Sequence, residues 1–235
     1  MSSSMQAYRT ELAVAQSDFY AAINAVLAEV FDGWLESSQI VKGSDSTSEY
    51  TDYKISTSLW LRVRTIGFYY VYDNTEGYWP LVSYSDSSSY TLTVLKVNHC
   101  LIFCVENTSS LAPYTLQADF IIDSINNDNT KCAIIKGWDT GSTFQIDTES
   151  AVYSQVHSSF NGYSYNASGS TLQVSPFIIS IDGAKCDNLY NIAVTPLNSA
   201  KFASFNGQIW WINDGHFALC AGDSEPTYTV VTPTS

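Results

Sequence analysis

From residue 50 onward, apolar side chains recur at every second position, in short runs cut by turn residues. This rhythm constrains the fold more than any other feature of the chain. Successive side chains of a strand point to opposite faces, so period two marks a half-buried strand. In KISTSLWLRVRTIGFYYVYD, Leu59, Leu61 and Val63 oppose Trp60, Arg62 and Arg64. Further strand candidates are YWPLVSY, YTLTVLKVNHCLIFCVE, YTLQADFIIDSI, TKCAIIKGW, STFQIDT, AVYSQVHSSF, TLQVSPFIISI and LYNIAVTPL. The clusters DNTEG, SDSSS, NTSSLAP, NNDN, NGYSYNASGS and DGAKCDN separate them as turns. Many short strands at this spacing predict a mainly β fold, an antiparallel sandwich-like domain over residues 46–225, and exclude a parallel βαβ sheet.

The first segment has a different period. Met5, Tyr8, Leu12, Ala15, Phe19, Ala22 and Val26 alternate spacings of three and four, as along a helical seam. Ile23, Leu27, Val30, Phe31 and Trp34 widen the stripe, and Pro is absent, so one long helix is predicted over residues 5–36. Two readings stay open. The helix packs on its own β domain, or it meets copies of itself or a partner through Tyr8, Leu12, Phe19, Val26 and Trp34. KGSDSTSE reads as a polar linker, closing an N-terminal arm over residues 1–45. The last residues, 226–235, read as an extended tail.

Most legible is KFASFNGQIWWINDGHFALCAGD. Asn206-Gly207 is a two-residue hairpin signal, because a type I′ turn needs positive φ at both positions. Asp214-Gly215 is a second. Together they predict a three-stranded meander over 201–205, 208–212 and 216–220, with Phe202 opposite Trp211 and Ala203 opposite Trp210. Both faces of the middle strand are then large and apolar, and the face that does not cover the core needs a sheet, the helix or a partner. Trp210, Trp211, Phe202 and Trp138 are therefore candidates for an aromatic interface or a glycan platform. The competing reading is that such rings fill the core.

Charge excludes one class of partner. The chain carries 10 basic against 23 acidic residues, a net charge of −13, and its densest basic spot is Arg62-Val63-Arg64. A nucleic-acid binder needs a basic footprint to meet phosphate, and none is visible. No apolar stretch reaches membrane-spanning length. The N-terminus, MSSSMQAYRTELAVAQ, lacks a basic region followed by an apolar run, so the five Cys read as buried thiols of a protein made in a reducing cytosol. Cys100 and Cys104, four apart on a strand, lie roughly 13 Å apart, beyond disulfide reach.

Asp139-Thr140-Gly141-Ser142 is spelled like the active-site tetrapeptide of an aspartic protease. That chemistry needs a second Asp to share a proton with the first. No second such loop occurs: Asp182-Gly183 and Asp214-Gly215 lack the intervening hydroxyl residue. The expectation is a β-turn. His99, His157 and His216 form no metal-ligand spacing, and the common nucleophile and phosphate-loop motifs are absent. Asp123, Asp128, Asp182 and Asp187 read as turn carboxylates, solvated in the leading reading and ligands of a calcium ion in the alternative. A glycosidase would need two carboxylates flanking a cleft, roughly 5–10 Å apart, and nothing points to such a pair. No cofactor and no enzymatic activity are expected.

The segment PLNSAKFASFNGQIWWINDGHFAL resembles the ends of structural proteins from tailed bacteriophages. The matching residues are Phe202, Phe205, Asn206, Gly207, Trp210, Gly215, Phe217, Ala218 and Leu219. The likeness covers about the last 60 residues. It implies a virion component of the tail, baseplate, neck or head surface, assembled in the bacterial cytoplasm. Its implied partners are copies of itself and other virion proteins, and its alternative is a module that binds a carbohydrate or receptor on a host surface. It supplies no catalytic residues.

Overall fold

Seventeen strands and one α-helix make up the described part of the computed structural model. The structure describes residues 4–12, 16–46, 48–55, 59–64, 67–72, 75–79, 90–107, 118–136, 145–147, 175–181, 185–195, 201–205, 207–212 and 217–233. In chain order, β1 (Gln6–Leu12) precedes α1 (Gln16–Phe31). There follow β2 (Ile40–Ser44), β3 (Glu49–Lys54), β4 (Leu59–Arg64), β5 (Gly67–Tyr72) and β6 (Thr75–Trp79). Next are β7 (Tyr90–Val97), β8 (Cys100–Asn107), β9 (Ala118–Ile125), β10 (Asp128–Lys136), β11 (Gln145–Asp147) and β12 (Ser175–Ile181). The chain ends with β13 (Lys185–Val194), β14 (Lys201–Phe205), β15 (Gln208–Ile212), β16 (Phe217–Gly222) and β17 (Tyr228–Val230). The fold class is the one the two-residue rhythm predicts: mainly β, largely antiparallel, with one helix early in the chain.

The chain forms two compact units. The helix-bearing unit holds Ala7–Val94, Phe103–Tyr114 and Tyr228–Ser235. Its helix forms because Ala22, Ile23, Val26, Leu27, Val30 and Phe31 fall on one stripe, and all six are buried. Gly33 stops it at φ +68°, a left-handed conformation that costs glycine little, while Trp34 N and Leu35 N both donate to Phe31 O. A second sheet of this unit runs β2-β3-β4-β5-β6, each strand paired with the next in sequence. Thr51 pairs with Val63 and Tyr53 with Leu61, and these four buried residues share the face turned to α1. Tyr20 and Thr51 share a hydroxyl hydrogen bond of 2.7 Å, Tyr53 OH donates to Asn24 Oδ1 at 2.8 Å, and the Phe31 and Tyr53 rings stack 5.3 Å apart.

The C-terminal unit holds Met1–Gln6, Leu95–Ile102 and Thr115–Thr227. Its sheet includes the run β14-β15-β16-β13-β9. β9 and β10 join through Asn126 and Asn127, both at positive φ (51° and 60°), the geometry of a type I′ turn. Ile121, Ile122, Ile125, Leu189, Ile192 and Leu219 are among its core residues.

Several sequence expectations need correction. The helix predicted over 5–36 is shorter: Gln6–Leu12 is a strand, and it pairs in parallel with β17. The buried residues there, Met5, Ala7, Tyr8 and Thr10, do not follow a helical stripe. The polar segment 42–49, read as a linker, belongs to the β2–β3 hairpin, closed by Asp45 N to Ser48 O at 3.1 Å. The apolar run 90–106 is two strands, not one, turning at Asn98 (φ 51°) and His99. Asp123 and Asp187 lie within strands β9 and β13, not in turns.

Candidate functional site

The C-terminal meander is where the sequence placed its strongest candidates. β14 and β15 span Lys201–Phe205 and Gln208–Ile212, the predicted bounds. The register is also the predicted one, Phe202 opposite Trp211 and Ala203 opposite Trp210. Gly207 holds φ +76° at the turn. On one face Ala203, Trp210, Ile212 and Ala218 pack together. On the other, Trp211 lies between Phe202 and Leu219. Trp211 is fully buried and its indole Nε1 has no hydrogen-bond partner among the described residues. Trp210 and Phe202 are half-buried. A bulge lies between β15 and β16: Ile209 faces Gly222 and Trp210 faces Cys220, leaving Ala221 over. Met5 N donates to that extra residue's carbonyl at 3.1 Å. Trp138, and with it Asp139-Thr140-Gly141-Ser142, lies outside the described residues.

Beside the meander sits a group the sequence misplaced. Asp123 has no solvent exposure, and its carboxylate accepts four N–H bonds. Asn191 N and Ile192 N donate to Oδ2 at 2.9 and 3.1 Å, while Asn191 Nδ2 and Ser124 N donate to Oδ1 at 2.7 and 2.8 Å. Asn98 Nδ2 in turn donates to Asn191 Oδ1 at 3.0 Å. The β13–β9 ladder has the single pair Leu189–Ile125. Further on, β13 pairs with β16, and the carboxylate takes the N–H groups of Asn191 and Ile192. Burial pushes the Asp123 carboxyl up to about 6, against the pull of its four donors.

In the helix-bearing unit, the helix candidates separate. Tyr8 and Leu12 stand on β1, not on a helix. Val26 is fully buried inside this chain, so in this fold no partner reaches it, and Tyr8 is nearly so. Burial, then Glu29 and Asp32, push the Tyr8 phenol up. Trp34 is half-buried, its ring 5.2 Å from that of Phe31. The side chains of Leu12 and Phe19 lie outside the described residues. The helix is therefore a core element along the stripe from Ala22 to Phe31. Of the two open readings, that stretch takes the one in which it packs on its own β domain.

The face of the β2–β6 sheet away from α1 carries the densest basic spot of the sequence. Arg62 grips Asp52 with two bonds, Nε to Oδ1 at 2.6 Å and an Nη to Oδ2 at 2.8 Å. Arg64 reaches Asp45 at 2.7 Å and Ser48 Oγ at 3.2 Å. Both guanidinium groups lie over the ring of Tyr50, at 4.2 and 5.4 Å. Tyr50 lies opposite Gly43, whose missing Cβ would stand 2.6 Å from the ring. Chemically this is a closed clasp. Each guanidinium is matched by a carboxylate, so the spot is not an open anion site.

Among the described residues no group of three His, Cys, Asp or Glu could hold a metal ion. Cys100 and Cys104 are buried and Cys220 is half-buried. No described helix is long and apolar enough to cross a membrane. Comparison with family models, with curated proteins and with solved structures gave no match.

Proposed function

We propose that this chain is a non-enzymatic structural component of a tailed-bacteriophage virion, acting by self-association and contacts with other particle proteins. The observation that supports the reading is the meander Lys201–Gly222. It carries the residues of the phage resemblance, and its β14–β15 register is the one that Asn206-Gly207 predicts. Trp210 on one face and Phe202 on the other are half-buried, and Trp211 is fully buried. A large aromatic side chain left partly open on a hairpin suits a subunit contact. A glycan platform finds less support there, because the flat face of Trp211 is not open to a sugar ring.

Light scattering after size exclusion on the full chain tests the reading. A closed oligomer of defined mass is expected, weakened by Trp210→Ser without loss of the β-type circular dichroism. A monomer at every concentration up to the millimolar range would overturn the self-association at its centre.

A further inference from the structure

The C-terminal strand is placed as a donated piece. The helix-bearing unit takes Ala7–Val94 and Phe103–Tyr114, and then nothing until Tyr228–Ser235. β17 pairs in parallel with β1, Ala7 with Tyr228, Tyr8 with Thr229 and Arg9 with Val230. Parallel neighbours cannot be joined by a short turn, and here almost the whole chain lies between the two. Beyond the three ladder pairs, Val231 N donates to Arg9 O at 2.8 Å, and the Arg9 guanidinium lies 4.1 Å over the Tyr228 ring. Arg9 Nε is itself held by Thr93 Oγ1 at 3.3 Å, so the clamp is built on the receiving side.

The segment leading to β17 is an exposed, mostly polar connection. Gly222 turns the chain at φ +99°. Asp223, Ser224, Glu225 and Thr227 are exposed, and Pro226 stiffens the run. β17 is the end strand of its sheet, and Val230 upon it is 73% exposed, one of the two most exposed large apolar residues described. Exchange of such a strand between copies reproduces every contact it makes within one chain, which makes strand swapping a low-cost route to oligomers.

We infer that residues 228–231 dock against β1 of a second copy of this chain, so that copies are linked by reciprocal exchange of the C-terminal strand. The occupant is a second copy because the receiving edge fits this sequence in register: the Arg9 clamp takes Tyr228, and Arg9 O takes Val231 N. The inference rests on the self-association proposed above and names the element that carries it.

The test is disulfide trapping in the full chain. Arg9→Cys with Val230→Cys puts two thiols on paired positions; Tyr8→Cys with Thr229→Cys is the second pair, and it keeps the Arg9–Tyr228 clamp. Each is oxidised at low protein concentration and read on a denaturing gel, beside single-cysteine controls for the native thiols. Light scattering is run on the same sample. An oligomer whose covalent dimer band rises at least about tenfold over the controls is the expected result. An oligomer with only intramolecular cross-links overturns strand exchange and leaves self-association standing. A monomer with intramolecular cross-links overturns both.

Discussion

In the helix-bearing unit, buried charge is met by charge; in the C-terminal unit, it is met by backbone. Arg62 and Arg64 each hold a carboxylate and share the Tyr50 ring, on a face that also carries Lys54 and the buried Trp60. Asp123 has no cation against it among the described residues, and four N–H groups instead. The difference follows from where each group sits. The clasp joins neighbouring strands of a meander, where cross-strand partners lie directly opposite. Asp123 sits where one ladder stops and another begins, and the loose N–H groups of β13 would otherwise be buried without acceptors. The first arrangement fastens a hairpin; the second closes a gap in a sheet.

The largest expected effect is on the apolar side of the C-terminal unit. Trp211→Ala should cost about 3–5 kcal/mol in urea unfolding, the range for a large buried aromatic. Trp211→Phe should cost well under half as much, because the indole N–H makes no bond to lose. Equal losses for the two would show that the N–H is satisfied after all.

The clasp should come next. Arg62→Ala leaves Asp52, which is 4% exposed, without its cation, and removing one partner of a buried pair costs about 3–5 kcal/mol at the upper end. Arg62 keeps 16% of its side chain exposed, so water will lower that figure. Arg62→Lys should recover only part, since an ammonium cannot reproduce the two-pronged grip. A double-mutant cycle with Asp52→Asn reads the coupling, and a value near zero would remove the clasp from the account of stability.

Asp123 brings a pH dependence. Its folded carboxyl is raised from 3.8 to about 6, so the folded state holds the proton more tightly than the unfolded chain. Its contribution is then fully present below about pH 4 and lost as pH rises through 6. The span of about two units corresponds to about 3 kcal/mol. Relative to Asp123→Asn, the native chain should gain stability on acidification from pH 7 to 4. A difference between the two proteins that does not change with pH would contradict this.

The same two regions show which parts of the fold can be read from sequence. Asn206-Gly207 announces its hairpin to the residue because the turn's positive φ is a local demand, which Gly207 meets. β1 could not be read this way. Its 3-4 spacing of Met5, Tyr8 and Leu12 mimics a helix, and what makes it a strand is a ladder to residues 228–230, at the other end of the chain. Asp123 reads from sequence as a turn residue, because three of its four donors come from Asn191 and Ile192, 68 and 69 residues away. The Asn98-His99 turn carries no Gly or Pro, and only length betrays it: 17 residues exceed an ordinary strand. Position 43 belongs to the same class, since nothing local announces why a glycine stands in a strand there.

Gly43→Ala gives the smallest effect and isolates one side of the comparison. Gly43 and Tyr50 face each other across β2 and β3, and the Tyr50 ring occupies the space a Cβ would fill. A methyl group 2.6 Å from the ring must push it aside, and the ring lies under both guanidinium groups. The expected cost is about 1–3 kcal/mol, the range for overpacking. The sign should reverse in a Tyr50→Ala background. With the ring gone the three atoms nearest the methyl are removed, and alanine loses less backbone freedom on folding than glycine, a gain of up to about 1 kcal/mol. The C-terminal unit should be indifferent to all of this, so the titration assigned to Asp123 should be the same in Gly43→Ala as in the native chain. If the pH dependence moves with Gly43, the two regions are not solving separate problems, and the clasp and the carboxylate must be treated as one network.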